Sequence, residues 1–150
     1  MAVESGPIVE VERRIAASRE EVFVYLTDPA KYTRWMGMAA ELDPRPGGVY
    51  RVRMNSDNIA LGEYVAVEPP ARVVFTWGWE GDAAVPPGST TVEITLSEDE
   101  GGEGTILRLR HSGLPDERAA ESHREGWTKY GERLSVAAPG GDPGPDATAA

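Results

Sequence analysis

Hydrophobic and polar positions alternate along most of the chain, and the period departs from two in only two regions. "IVEVERRIAA" sets Val9, Val11 and Ile15 against charged neighbours, the pattern of a half-buried strand. "SREEVFVYLT" then moves to helical spacing. Ser18 followed three residues later by Glu21 is a capping-box signature, and Val22, Phe23 and Leu26 follow on one side. Asp28-Pro29 stops that helix. "PAKYTRWMG" predicts a second short helix, with Pro29 in its first turn and Trp35 and Met36 at its end. Strands resume with "AAELD", and "PRPGG" turns the chain into "VYRVRM", where Tyr50, Val52 and Met54 share a face. "NSDN" is a turn, "ALGEYVAVE" another strand, and Pro69-Pro70 a break. "RVVFTWGWE" puts Val73, Phe75, Trp77 and Trp79 on one face. After the loop "GDAAVPPGS", "TTVEITLSE" aligns Val92, Ile94 and Leu96. "EDEGGEG" turns into "TILRLRH", with Leu107, Leu109 and His111 opposite Arg108 and Arg110. A consecutive run of alternating strands with short turns predicts an antiparallel meander.

The second helical region is "HSGLPDERAAESHREGWTKYGERL". Pro115 near the first helical position, with Asp116 and Glu117 in the first turn, suits the positive end of a helix dipole. Ala120, His123, Trp127, Tyr130 and Leu134 recur at spacings of three and four, a single stripe, while Arg118, Glu121, Arg124, Glu125, Lys129, Glu132 and Arg133 occupy the other sides. The expected architecture is α+β: a strand, two short helices, about six further strands curved into one sheet, and one long C-terminal helix. Only that helix, about 30 Å long at roughly 20 residues, could cover the concave face of the sheet.

The stripe is unusual for a helix that merely seals a core, where Leu, Ile and Val would be expected. It carries aromatic rings with polar tips. Gly126 and Gly131 also interrupt it, each costing about 1 kcal/mol against alanine in a helix interior. Close approach of a neighbour, or room for a guest, would offset that cost. Trp77 and Trp79 share the Phe75 face, and Trp35 and Met36 end the short helix. If these surfaces converge they form an apolar space with a few polar tips, the usual make-up of a small-molecule pocket. The alternative is that the same rings simply fill a core. Gly62 and Gly78 in the strands indicate kinks or close backbone approach, without deciding which.

Composition narrows the partners. The 150 residues are 40% hydrophobic and 27% charged, an ordinary balance for one globular domain. Residues 1–7 are expected to be flexible, 8–137 to form the domain, and 138–150, rich in Gly, Pro, Asp and Ala, to be a disordered tail. No signal peptide or membrane-spanning run is visible, and there is no cysteine, so a cytoplasmic location is expected. The net charge of −10 argues against nucleic acid as a partner and against association with anionic membrane.

Several segments resemble a known family: "DPAKYTRWMG", "LDPRPGGVYRV", "GEYVAVEPPARVVFTWGW", "VEITL" with "GTILRLRHSGLP", and the closing "HREGWTKYGERL". Over roughly residues 8 to 136, in the same order, they are similar to bacterial proteins related to the C-terminal domain of the Hsp90 ATPase activator (AHSA1-like). These belong to the START-like, SRPBCC or Bet v 1-like superfamily. The resemblance implies a helix-grip fold, with a cavity between a curved antiparallel sheet and the C-terminal helix. Superfamily members bind lipids, sterols, polyketides and plant hormones, and some catalyse cyclisation or dehydration. The eukaryotic activator carries an additional N-terminal chaperone-binding domain with no counterpart in these residues, so Hsp90 interaction is not expected.

The function expected is binding of a small hydrophobic ligand, lipid-like or aromatic and polyketide-like, in a stress-response or secondary-metabolism setting. The expected ligand-binding residues are Trp35, Met36, Phe75, Trp77, Trp79, Leu109, His111, His123, Trp127 and Tyr130. Two alternatives stay open. One is a cyclase- or dehydratase-type enzyme using His111, His123 and Tyr130 for proton transfer. The other is a protein-interaction or co-chaperone-like module using the short helices or the "GDAAVPPGS" loop. No cofactor and no metal is expected. With two histidines a metal site would need Glu63 or Glu93, and neither belongs to a ligand-spaced motif. "HSGLP" around Ser112 is not a nucleophile elbow, and "PRPGG" is not a phosphate loop. A monomer or weak homodimer is expected.

Overall fold

The computed structural model describes residues 7–145; the remaining residues of the expected flexible N-terminus and of the expected tail lie outside the described residues. The elements run β1 (Val9–Ile15), α1 (Arg19–Thr27), α2 (Pro29–Tyr32), β2 (Ala39–Leu42), β3 (Val49–Arg53), β4 (Ile59–Glu68), β5 (Arg72–Trp77), β6 (Thr90–Glu98), β7 (Thr105–Ser112) and α3 (Glu117–Ala137). The strands form one seven-stranded sheet in the order β1-β7-β6-β5-β4-β3-β2. Every neighbouring pair is antiparallel. This is the curved meander and long helix that the alternation predicts.

Local chemistry sets the element ends. Ser18 Oγ accepts the Glu21 N–H at 3.1 Å while a Glu21 carboxylate oxygen accepts the Ser18 N–H at 3.2 Å, the reciprocal box that opens α1. Asp28 closes one helix and opens the next: its N–H donates to the Val24 carbonyl, and its carboxylate accepts the Lys31 N–H. Helix α2 is shorter than the sequence suggests. It stops at Tyr32, and Trp35 and Met36 follow on a tight turn whose N–H groups return to the Tyr32 carbonyl. Gly37, at φ +82°, then redirects the chain into β2. The long helix likewise starts two residues later than its proline suggests, because Asp116, not Pro115, accepts the Ala119 N–H as the cap.

Along β7, Thr105, Leu107, Leu109 and His111 turn inward while Arg108 faces out. Helix α3 lays Ala120, Trp127, Tyr130, Gly131, Leu134 and Ala137 onto the concave side. The α1–α2 pair closes that side with Val22, Phe23, Leu26, Tyr32, Trp35 and Met36. Between them lies an aromatic interior: Tyr50 stacks on Phe75 at 4.1 Å, the Tyr32 and Tyr50 hydroxyls hydrogen-bond each other, and the Trp35 indole N–H donates to the Tyr25 carbonyl at 2.9 Å. Burial of rings of this size is the largest favourable contribution to such a core. Gly62 in β4 and Gly78 just past β5 both mark close backbone approach. A Cβ on Gly62 would collide with the Thr76 carbonyl, and one on Gly78 with the Pro86 carbonyl.

Candidate functional site

Two tryptophan–histidine pairs meet where β5 and β7 face α3. His111 is completely buried near the end of β7, paired with Val9 of the edge strand β1 and with Val92 of β6. Its Nδ1 accepts the Trp127 indole N–H at 3.0 Å, so the ring proton sits on Nε2 and donates to Thr90 Oγ1 at 2.8 Å. The Thr90 hydroxyl passes its own proton to the Trp77 carbonyl at 2.7 Å. Burial, reinforced by the neighbouring His123, pushes the His111 pKa down to about 3.

His123 is held the opposite way round. Its Nδ1–H donates to the Ala119 carbonyl at 2.7 Å, and Nε2 accepts the Trp79 indole N–H at 3.1 Å. Burial lowers its pKa as well, opposed by the bond to Ala119 and by the charge of Asp82. The two imidazoles are therefore neutral, in different tautomers, with ring centres 5.0 Å apart edge to face. Trp77 ties the group together, its ring centre 5.0 Å from Trp127 and 5.2 Å from Trp79.

Beside this cluster runs an open groove of ≈ 1180 Å³. Trp77, Trp79 and Trp127 supply aromatic wall, and Ala119, His123, Gly126 and Tyr130 supply the face of α3. The opposite side is the β3–β4 turn with Met54, Asn55, Asp57 and Asn58, together with the loop Glu80 to Val85. That loop is pinned: one Asp82 carboxylate oxygen accepts the Ala84 and Val85 N–H groups at 2.7 and 3.2 Å, and Val85 is buried. A Cβ on Gly126 would have nothing within 4 Å, and the same holds for Gly131. Both glycines leave space; neither admits a close neighbour.

Of the ten residues expected from sequence, Met36, Trp77, Trp79, His123, Trp127 and Tyr130 come together on the groove. Trp35, Phe75, Leu109 and His111 lie behind it in the core, Trp35 meeting Tyr130 edge to face at 6.5 Å. The sequence reads 55–58 as a turn and 81–89 as a loop, both as connections, with Glu80 ending a strand. Their one signal was position, since both flank strands whose inward faces end in Met54 and Trp79. Among the described residues no three His, Asp or Glu side chains gather as a metal site would require. No helix there is long and apolar enough to cross a membrane.

A curved antiparallel sheet closed by a long C-terminal helix, with a groove between them, defines the helix-grip class of START-like, Bet v 1-like proteins. The family described as activator of Hsp90 ATPase homolog 1-like protein matches residues 16–138, and the chain belongs to that family. Among solved structures, it is 45% identical to an AHSA1-like protein of Rhizobium etli, covering 96% of this chain and 89% of that one with a TM-score of 0.75. It is 30% identical to CalU16 of Micromonospora echinospora, covering 92% and 77% of the two chains at a TM-score of 0.74. DynU16, a protein of the dynemicin biosynthetic locus, is 28% identical; the alignment covers 91% of this chain but only 48% of that one, at a TM-score of 0.77. No curated protein matches the chain.

Proposed function

We propose that this chain is a cytoplasmic binding protein for a small apolar molecule, aromatic or lipid-like, taken into the groove between β5 and α3. One observation carries the reading: α3 keeps Gly126 on the groove, where an added Cβ would meet nothing within 4 Å, beside a wall of three tryptophans. A helix tolerates that cost of about 1 kcal/mol when the vacated space is used. The relative from the dynemicin biosynthetic locus supports a secondary-metabolism setting over a stress-response one.

The histidines support binding rather than proton transfer. Both nitrogens of each ring are already engaged, and an acid–base role for His111 would require breaking its bond to Trp127 inside the core.

Trp127→Ala is a poor test because Trp127 also partners His111, and its removal would open a core cavity costing about 3–5 kcal/mol. Gly126→Leu is cleaner, for it fills the groove from the helix without disturbing the core. Indole NMR signals of labelled protein are followed against fatty acids, sterols, flavonoids and aromatic polyketides. One class should shift Trp77, Trp79 and Trp127 together in the wild type and fail to do so in a folded Gly126→Leu variant. Shifts that persist unchanged in that variant would sink the proposal.

A further inference from the structure

The groove also sorts guests by charge, an inference that rests on the binding reading above. Its lining carries five carboxylates, Asp57, Glu80, Asp82, Asp116 and Glu125, against the two cations Arg118 and Lys129. Lys129 already lies over the Tyr130 ring, with Nζ 4.7 Å from its centre. Asp82 uses only one carboxylate oxygen to hold its loop, and its own N–H donates to the Trp79 carbonyl at 3.2 Å, which places it beside the Trp79–His123 pair. An acidic rim beside the half-buried Trp79 indole is the arrangement that attracts an organic cation, through Coulomb attraction and cation–π contact.

The deeper wall adds a separate demand. The indole N–H groups of Trp79 and Trp127 are satisfied by the two histidines. Trp77, only 2% exposed, has an N–H with no acceptor. A buried donor left unpaired is costly, so a guest that brings an acceptor to it is favoured over one that does not. An indole N–H can only donate, so the matching group is a carbonyl or ether oxygen. Glu80 is paired with Arg51 at 3.8 Å and Asp116 caps α3, so a carboxylate guest such as a fatty acid would meet chiefly Asp57, Asp82 and Glu125 at the rim.

We infer that the guest is a planar aromatic compound bearing a protonated amine, with a carbonyl oxygen turned toward the Trp77 indole N–H and the ammonium at the acidic rim beside Trp79 and Asp82.

Three probes of one shape test this: 2-(aminomethyl)anthraquinone, 2-(hydroxymethyl)anthraquinone and anthraquinone-2-carboxylate, cationic, neutral and anionic at pH 7. Kd is measured by tryptophan fluorescence and the Trp77 indole proton is followed by NMR. The cation should bind about tenfold more tightly than the neutral probe at low salt, and the margin should shrink as salt is raised. It should also shift the Trp77 signal. The triple variant Asp57→Asn, Asp82→Asn, Glu125→Gln should lose the margin. Glu20→Gln, Glu100→Gln, Glu103→Gln, with the same net charge, should keep it. Equal binding of all three probes, a margin that survives the rim variant, or a cation that leaves Trp77 unmoved overturns the charge preference while groove binding stands. If none of the probes binds and none of the classes in the wider panel moves the indole signals, the binding reading itself falls.

Discussion

His111 has no nitrogen to spare, and that decides what a change in pH does to this protein. In the unfolded chain its pKa returns to about 6.5, whereas burial in the fold pushes it down to about 3. Below about pH 6.5 the unfolded state therefore binds the proton that the native state refuses. Stability should be greatest above that value and fall as the pH drops toward 3, with a slope from this residue of at most about 1.4 kcal/mol per pH unit. His123 pulls the same way, since its pKa is also lowered by burial. Urea unfolding across pH 4 to 8 checks the sign. His111→Phe should flatten the slope and, by leaving the Trp127 N–H without its acceptor, lower stability at pH 7 by about 1–3 kcal/mol. An unchanged slope in that variant would mean the titrating group lies elsewhere.

Helix α3 reconciles stability with an open groove by placing glycine where an ordinary helix would carry alanine. Because a Cβ at Gly126 or Gly131 meets no atom within 4 Å, Gly126→Ala and Gly131→Ala should each stabilise the fold by about 1 kcal/mol, read as a rise in the urea midpoint. Just past β5 the same change has the opposite sign. Gly78→Ala drives a Cβ into the Pro86 carbonyl, so it should cost about 3 kcal/mol and displace the loop that carries Asp82. Glycines in neighbouring elements thus do opposite jobs, one leaving room and the other permitting contact. A sequence shows both as the same letter.

Arg133 joins parts of the fold that lie far apart in the chain. From the outer turn of α3 its Nε donates to the Trp35 carbonyl at 2.9 Å, and its guanidinium nitrogens donate to the carbonyls of Pro143, Gly144 and Pro145. One side chain therefore fixes the turn after α2, which carries Trp35 and Met36, to the segment that follows the helix. Arg133→Gln should speed hydrogen exchange at the Trp35, Met36 and Gly144 amides while leaving the β5–β6–β7 amides protected. Uniform loss of protection would show instead that the tie supports the entire core.

The order of elements, the inward face of each strand and the stripe on α3 could all be read from the sequence, because periodicity and capping are local: Ser18 needs only Glu21, and Leu107, Leu109 and His111 need only their spacing. Six of the ten residues expected to bind ligand border the groove, and five of them, all but Met36, lie on those faces. Which rings would line space and which would fill core was not legible. Phe75 and Trp77 share a face, yet one stacks on Tyr50 and the other borders the groove. That division depends on strand register, on sheet curvature and on where the 55–58 turn and the 80–85 loop come down. The same holds for the protons. His123 and Trp79 are separated by 44 residues, and only folding brings the imidazole nitrogen to the indole N–H that sets its tautomer. Local sequence dictates what each segment is; long-range contacts choose what each side chain meets, since a partner's identity is not encoded within the reach of a turn.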